Sequence, residues 1–108
     1  MKRLNKIDKS GVGGSGGARG PSKESPNSRE NLAVNLQVAR AILGWSQEQL
    51  GLKCGLKRTY IGTIERREIN PGIDNLDKIA TGMGIDSYML ILDPEHAQPL
   101  IYKAVRGH

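Results

Sequence analysis

The alternation of apolar and polar positions between residues 46 and 66 predicts two short helices joined by a tight turn. In the first helix, Leu50 and Cys54 stand four residues apart. The apolar face of the second helix consists of Leu56, Tyr60, Ile61 and Ile64. Gly55 lies between them, where a chain that leaves one helix needs the left-handed backbone that glycine adopts without steric cost. The pattern is that of a helix-turn-helix unit.

Another helix precedes this unit, from Asn31 to Leu43. Its apolar residues follow each other at three- and four-residue steps: Leu32, Leu36, Ala39 and Leu43. Gly44 ends it. Ser46, with Gln49 three residues later, has the form of a capping box and marks the start of the next helix.

Two more helices follow. The turn at residues 70–72 contains Pro71, through which a helix does not continue. The next predicted helix begins near Asp74, ends at Gly84 and has one apolar face. A short helix from Tyr88 to Leu92 follows it. We therefore predict that residues 31–92 form a compact all-α domain of five helices.

The two ends of the chain lack such periodicity. Residues 1–30 are rich in Gly, Ser and basic residues, so they bury too little apolar surface to offset their ordering entropy, and we expect a disordered arm. One interpretation is that the basic residues of this arm follow the DNA. The others are that the arm is a spacer or a stretch translated from an upstream start codon, and its glycine content favours these. Residues 93–108 form a C-terminal tail for which a strand, a packed helix and a partner-binding segment remain open.

Composition narrows the classes of function. The 108 residues allow one small domain, and the single cysteine excludes an intramolecular disulfide. With only two histidines, no set of metal-ligand spacing exists, so we expect no metal or cofactor, and Cys54 is interpreted as a buried core residue. No apolar run approaches a membrane span and no signal peptide is recognisable, which predicts a soluble cytoplasmic protein.

The net charge of the chain is +5, but the distribution of the charged residues says more about its binding partner than this sum does. Residues 1–30 hold seven bases and three acids, whereas residues 31–92 hold seven bases and six acids. Within the predicted domain the bases gather at Lys53, Lys57, Arg58, Arg66 and Arg67. This local polarity suits a surface lined by phosphates.

Together these features resemble the Cro/repressor-type helix-turn-helix family of bacterial and phage regulators. The string that carries the resemblance is SQEQLGLKCGLKRTYIGTIERREINPGIDNLDKIATGMGI, and the likeness covers about residues 32–92. It implies a lambda-repressor-like fold whose third helix enters the major groove of DNA.

The resemblance also implies roles for single residues. Gln47 matches a glutamine that contacts a DNA phosphate and braces the third helix. Base-contacting or groove-lining places fall on Lys57, Arg58, Thr59 and Thr63. The alternative for Lys57, as for Arg66, is a contact with a DNA phosphate, and Arg67 is a further candidate phosphate contact. Arg40 and Glu65 match a mostly buried ion pair between the first and third helices, with a structural role.

Four residues depart from the family pattern. Gly51 stands where alanine is usual and lowers helix propensity by roughly 1 kcal/mol. Lys57 replaces a serine or threonine cap, and Arg67 replaces a glycine after the third helix. Gly62 is expected on the exposed face of that helix, either to let the backbone approach DNA or as a tolerated change.

The sequence therefore predicts a non-enzymatic, DNA-binding transcriptional regulator, in the first instance a homodimeric repressor. The short helix at Tyr88–Leu92 and the loop from Ile69 to Ile73 are the candidate dimer surface. Two alternatives remain: an antitoxin that covers a toxin with residues 100–105, and a restriction-modification controller protein.

Overall fold

The computed structural model describes residues 27–106, which form six α-helices and no strands. The helices are α1 (Ser28–Leu43), α2 (Gln47–Cys54), α3 (Arg58–Glu65), α4 (Ile73–Met83), α5 (Ser87–Ile91) and α6 (Pro94–Arg106). The all-α prediction is confirmed, with one helix more than the five expected. Most of the arm predicted to be disordered lies outside the described residues. None of the six helices is long and apolar enough to cross a membrane.

Helix α1 begins three residues before its predicted start because Asn27 caps it. The Asn27 side-chain oxygen accepts a hydrogen bond from the Glu30 backbone N–H at 3.2 Å, and its amide donates to the Glu30 carboxylate at 3.0 Å. This reciprocal pair satisfies a backbone donor that the first turn leaves free. At the other end Gly44 has φ 74° and closes the helix.

The turn between α2 and α3 requires glycine at two positions, Gly55 and Gly51, for different physical reasons. Gly55 has φ 75°, the left-handed backbone expected of it. Gly51 is buried, and a Cβ atom built there would lie 2.4 Å from the backbone oxygen of Leu56. No flexible side chain can relieve that contact, so the absence of a side chain at residue 51 is a packing requirement of the turn.

One apolar core lies between the helices. Its largest fully buried side chains are Leu36, Leu50, Ile61, Ile64, Ile79, Leu90 and Ile101. Cys54 is buried beside them, as predicted, with its Sγ donating to the Ile79 carbonyl at 3.8 Å. Burial raises the pKa of the Cys54 thiol to about 11, so the thiol stays protonated and unreactive near neutral pH.

Helix α6 packs against α1 and completes the core. Ala97 and Ile101 are fully buried, and Ala104 and Val105 pack against the same core. Residues 93–108, interpreted as a tail from the sequence, thus contain a 13-residue helix that belongs to the domain.

Two asparagines of α1 hold α5 in place. Asn35 is fully buried, and its amide donates to the carbonyls of Leu90 at 3.0 Å and Leu92 at 2.8 Å. One turn earlier, Asn31 donates to the Ile91 carbonyl at 3.1 Å. These bonds satisfy carbonyls that the end of a five-residue helix cannot pair internally.

Candidate nucleic-acid interface

The first turn of α3 presents three exposed polar residues, Lys57, Arg58 and Thr59. They are exposed because Ile61 and Ile64 turn the opposite side of this eight-residue helix into the core. Lys57 is the N-cap and makes no capping hydrogen bond with its side chain. Its ammonium group and the free N–H groups of the first turn are thus available to an anion. We call these three residues the reading surface.

Thr63 lies one turn further along α3 and is half-buried. Its hydroxyl donates to the carbonyl of Tyr60 at 2.6 Å. The hydroxyl proton is therefore used within the helix. What Thr63 offers a ligand is its methyl group and the acceptor side of its hydroxyl, which suits contact with a thymine methyl or a base amino group.

Arg66 and Arg67 follow α3 and are both exposed, but acids accompany them. Arg66 pairs with Glu68, Nε to Oε2 at 2.8 Å, and this hydrogen bond lowers the pKa of Glu68. Arg67 adopts a left-handed backbone with φ 64°, where the family commonly has glycine, and its Nε lies 3.5 Å from a carboxylate oxygen of Glu30. Both guanidinium groups can exchange these exposed carboxylates for phosphates, because such pairs contribute little in water.

Glu65 at the end of α3 is held by two helices. Arg40 on α1 donates from Nε at 2.8 Å and from Nη2 at 2.9 Å to its two carboxylate oxygens. This hydrogen bonding raises the pKa of Arg40, which stays charged. Gln47, at the start of α2, donates to Glu65 Oε1 at 3.0 Å.

Gly62 is buried beneath this network, so the prediction that it lies exposed on α3 is wrong. A Cβ atom at residue 62 would lie 3.0 Å from Nη1 of Arg66 and 3.6 Å from Oε1 of Gln47. The long side chains of Gln47 and Arg66 fold over the glycine and cover it. A Cβ atom there would meet Gln47 at an ordinary van der Waals distance, and only the flexible end of Arg66 would have to move.

Two polar residues that the sequence pattern does not reveal also contribute to this region. Gln37 of α1 donates to the backbone carbonyl of Glu65 at 3.3 Å and caps the end of α3. Asn75 of α4 donates to the hydroxyl of Tyr60 at 2.9 Å. Both lie on helices other than α3 and far along the chain, so no spacing rule points to them.

An open cleft of about 530 Å³ adjoins the reading surface. It lies between the start of α3, the turn before it and the start of α4, and its lining includes Lys57, Thr59, Tyr60, Thr63, Ile69 and Asn75. Tyr60, interpreted from the sequence as a core residue, is half-buried and lines this cleft. The surface around α3 thus combines basic, hydroxyl and amide groups, as recognition of phosphates and base edges requires.

Comparisons with known proteins agree with this geometry. A family model described as "Helix-turn-helix" matches residues 36–89. A hypothetical transcription factor of Neisseria meningitidis serogroup B is 40% identical over 73 residues, which make up 68% of this chain and 69% of that protein. The crystal structure of the hypothetical transcription factor NHTF from Neisseria is similar with a TM-score of 0.64 and 36% identity, covering 74% of this chain and 94% of that chain.

Two controller proteins are also similar to the chain. The control protein C.BamHI of Bacillus amyloliquefaciens is 48% identical over 49 residues, which are 45% of this chain and 60% of that protein. The structure of the restriction-modification controller protein C.Esp1396I has a TM-score of 0.52 and 26% identity, covering 78% of this chain and 100% of that chain. Since the family model spans α2, α3 and α4 in full and the motif residues take the expected places, the chain belongs to the Cro/repressor-type helix-turn-helix family of DNA-binding transcription regulators.

Proposed function

We propose that the protein is a homodimeric, non-enzymatic repressor that binds a two-fold symmetric operator and excludes RNA polymerase from the overlapping promoter. The observation that supports this most directly is the exposed reading surface at the N-terminal end of α3. The first turn of a recognition helix is the part that contacts base edges in the major groove. Arg58 has the geometry to pair with guanine through two hydrogen bonds, and Lys57 to hold a phosphate. The protein would act in the cytoplasm.

Exposed apolar side chains on α5 and α6 support the dimer. Tyr88 is 51% exposed and Tyr102 54% exposed, and Ile91 and Leu100 are each 38% exposed. Aromatic residues are enriched in protein interfaces because they bury a large area with few rotatable bonds. The predicted dimer surface on α5 therefore extends to α6. Ile73 belongs to the predicted segment from Ile69 to Ile73 and is 75% exposed at the first position of α4, so it remains a candidate for the same surface.

The two alternatives differ in their support. An antitoxin would need residues 100–105 free to cover a toxin, yet Ile101 within this stretch is fully buried and Val105 packs on the core. A restriction-modification controller fits better, because C.BamHI and C.Esp1396I are similar in sequence and structure. Such a controller is a narrower form of the same regulator.

Selection of bound sequences from random double-stranded DNA tests the proposal. A homodimeric repressor should enrich two inverted half-sites with centres about 10 base pairs apart, one helical turn. Sedimentation of the protein on the enriched duplex should then give two chains per duplex. Enrichment of a single asymmetric half-site with one chain bound would contradict the dimer, and no enrichment at all would contradict sequence-specific binding.

A further inference from the structure

One side of the reading surface continues into an apolar part of the cleft between α3 and α4. Lys57 and Thr59 belong both to the reading surface and to the lining of this cleft. Leu56, Tyr60 and Ile69 line it further in, and all three pack against the core. A surface that only held phosphates would be lined by basic and amide groups instead. The cleft therefore offers a place where an apolar group of the DNA can leave water.

Thr63 adds a methyl group to this lining. It stands four residues after Thr59, so the two side chains lie on the same face of α3. Its hydroxyl donates to the carbonyl of Tyr60 at 2.6 Å, a bond that also restricts the rotation of this branched side chain. Because the helix backbone holds the hydroxyl proton, Thr63 contributes an apolar group rather than a hydrogen-bond donor to the cleft.

A hydrogen bond fixes the tyrosine that lines the same cleft. Asn75, in the first turn of α4, donates to the hydroxyl of Tyr60 at 2.9 Å. This bond ties the far end of the tyrosine ring to α4, while the ring packs against the core. The apolar lining is thus ordered before any ligand arrives, which reduces the entropy that binding costs.

The major groove of DNA offers few apolar groups to such a lining. The edges of the bases carry hydrogen-bond donors and acceptors, and the methyl group among them is the one on C5 of thymine. A cytosine that is methylated on C5 carries the same group at the same place. The cleft adjoins the first turn of α3, the part of a recognition helix that contacts base edges. The C5 methyl group is therefore the apolar group of the DNA that suits it.

We propose that the α3 side of this cleft receives the C5 methyl group of one pyrimidine in each half-site, and that Thr63 is the residue that reads it. The proposal rests on the proposed function, in which α3 enters the major groove of an operator. It adds a second kind of readout, because Arg58 selects a base by hydrogen bonding whereas the cleft selects by removing a methyl group from water. Where that pyrimidine is a cytosine, binding depends on the methylation of the site.

The test scans the pyrimidines of one half-site of the selected operator with the full chain. Each thymine is replaced in turn by uracil, which removes only the methyl group, and each cytosine by 5-methylcytosine, which adds it. Fluorescence anisotropy gives the dissociation constants. Burial of a methyl group contributes about 0.8 kcal/mol, so one change to uracil should weaken binding about fourfold, or one methylated cytosine should strengthen it about fourfold. The first outcome identifies thymine as the occupant and the second identifies 5-methylcytosine.

Thr63→Ser removes the methyl group on the protein side and keeps the hydroxyl. If the two methyl groups touch, the ratio between the affinities for the methylated and the unmethylated base should fall below about twofold in this variant, a coupling that a double-mutant cycle isolates. Thr81→Ser is the control, because it makes the same change at an exposed position in the last turn of α4, outside the cleft, and should keep the parental ratio.

Two results would overturn the proposal. One is a scan in which binding is insensitive to the methyl group at every pyrimidine of the half-site. The other is a Thr63→Ser variant that keeps the full parental ratio, since the methyl group is then read elsewhere. Failure of the proposed function looks different, because the parent chain itself would then select no operator.

Discussion

The guanidinium of Arg40 and the carboxylate of Glu65 join α1 to α3 through two parallel hydrogen bonds of 2.8 and 2.9 Å. Arg40 also donates to the backbone carbonyl of Trp45 at 2.9 Å, in the turn before α2. A single side chain thus connects α1, the turn before α2 and α3. Because Glu65 stands at the end of the helix whose first turn is the reading surface, this pair helps to set the direction in which that surface points.

Replacing Arg40 by alanine should lower the free energy of unfolding by about 3 kcal/mol, since it leaves the 7%-exposed Glu65 without its ionic partner. The midpoint of urea unfolding measures the loss. Arg29→Ala is the control, because Arg29 is an exposed base of the same helix and should change stability by less than about 0.5 kcal/mol. Equal effects of the two substitutions would mean that water replaces Arg40 at no cost.

Gly51 and Gly62 should respond to alanine in opposite ways. Gly51→Ala should destabilise the fold by about 1 to 3 kcal/mol, because its Cβ would overlap the Leu56 backbone oxygen and this outweighs a gain of about 1 kcal/mol in helix propensity. Gly62→Ala displaces only the end of the Arg66 side chain, so stability should stay unchanged or rise by up to about 1 kcal/mol. Thermal unfolding of both variants tests the contrast. A stabilising Gly51→Ala would show that the turn can relax.

The parts of the fold that the sequence predicts correctly depend on local interactions. The capping box of Ser46 and Gln49 and the left-handed Gly55 involve residues within one turn of each other, so a short stretch of sequence is enough to recognise them. The outward position of Lys57, Arg58 and Thr59 likewise follows from helical spacing, once Ile61 and Ile64 are taken as buried.

The parts that it does not predict depend on contacts between distant residues. Asn35 bonds to carbonyls 55 and 57 residues further along the chain, and no periodicity reveals that pairing. The sequence leaves the conformation of α6 open because Pro94 and Pro99 interrupt a helical pattern, although Pro94 is tolerated in a first turn. Helical spacing places Gly62 on the exposed face of α3, and its burial depends on the conformations of two long side chains, which the spacing does not predict.

Arg67→Gly should raise stability and weaken DNA binding. A left-handed backbone costs a non-glycine residue roughly 1 kcal/mol, and the pair that Arg67 makes with Glu30 is exposed and contributes little. Differential scanning calorimetry should therefore show a higher melting temperature. If Arg67 holds a phosphate, the slope of log affinity against log salt should fall by about 1. A lower melting temperature would show that Arg67 stabilises the turn by contacts that outweigh its backbone strain.

Arg58→Ala should weaken binding to the selected operator by about 1 to 3 kcal/mol and relax the base preference at one position of each half-site. The reason is that Arg58 is exposed in the first turn of α3, where a guanidinium can form two hydrogen bonds to a guanine edge. Binding curves on the operator and on random DNA, with repeated selection by the variant, measure both effects.

Lys53→Ala provides the control for the loss of one positive charge. Lys53 is exposed on α2, where its ammonium group lies 5.4 Å from the centre of the Trp45 ring, and it is not part of the reading surface. This variant should keep the base preference of the parent at every position. If Arg58→Ala loses the same affinity on the operator and on random DNA, Arg58 holds a phosphate, and the base readout of α3 must come from Thr59 and Thr63 instead.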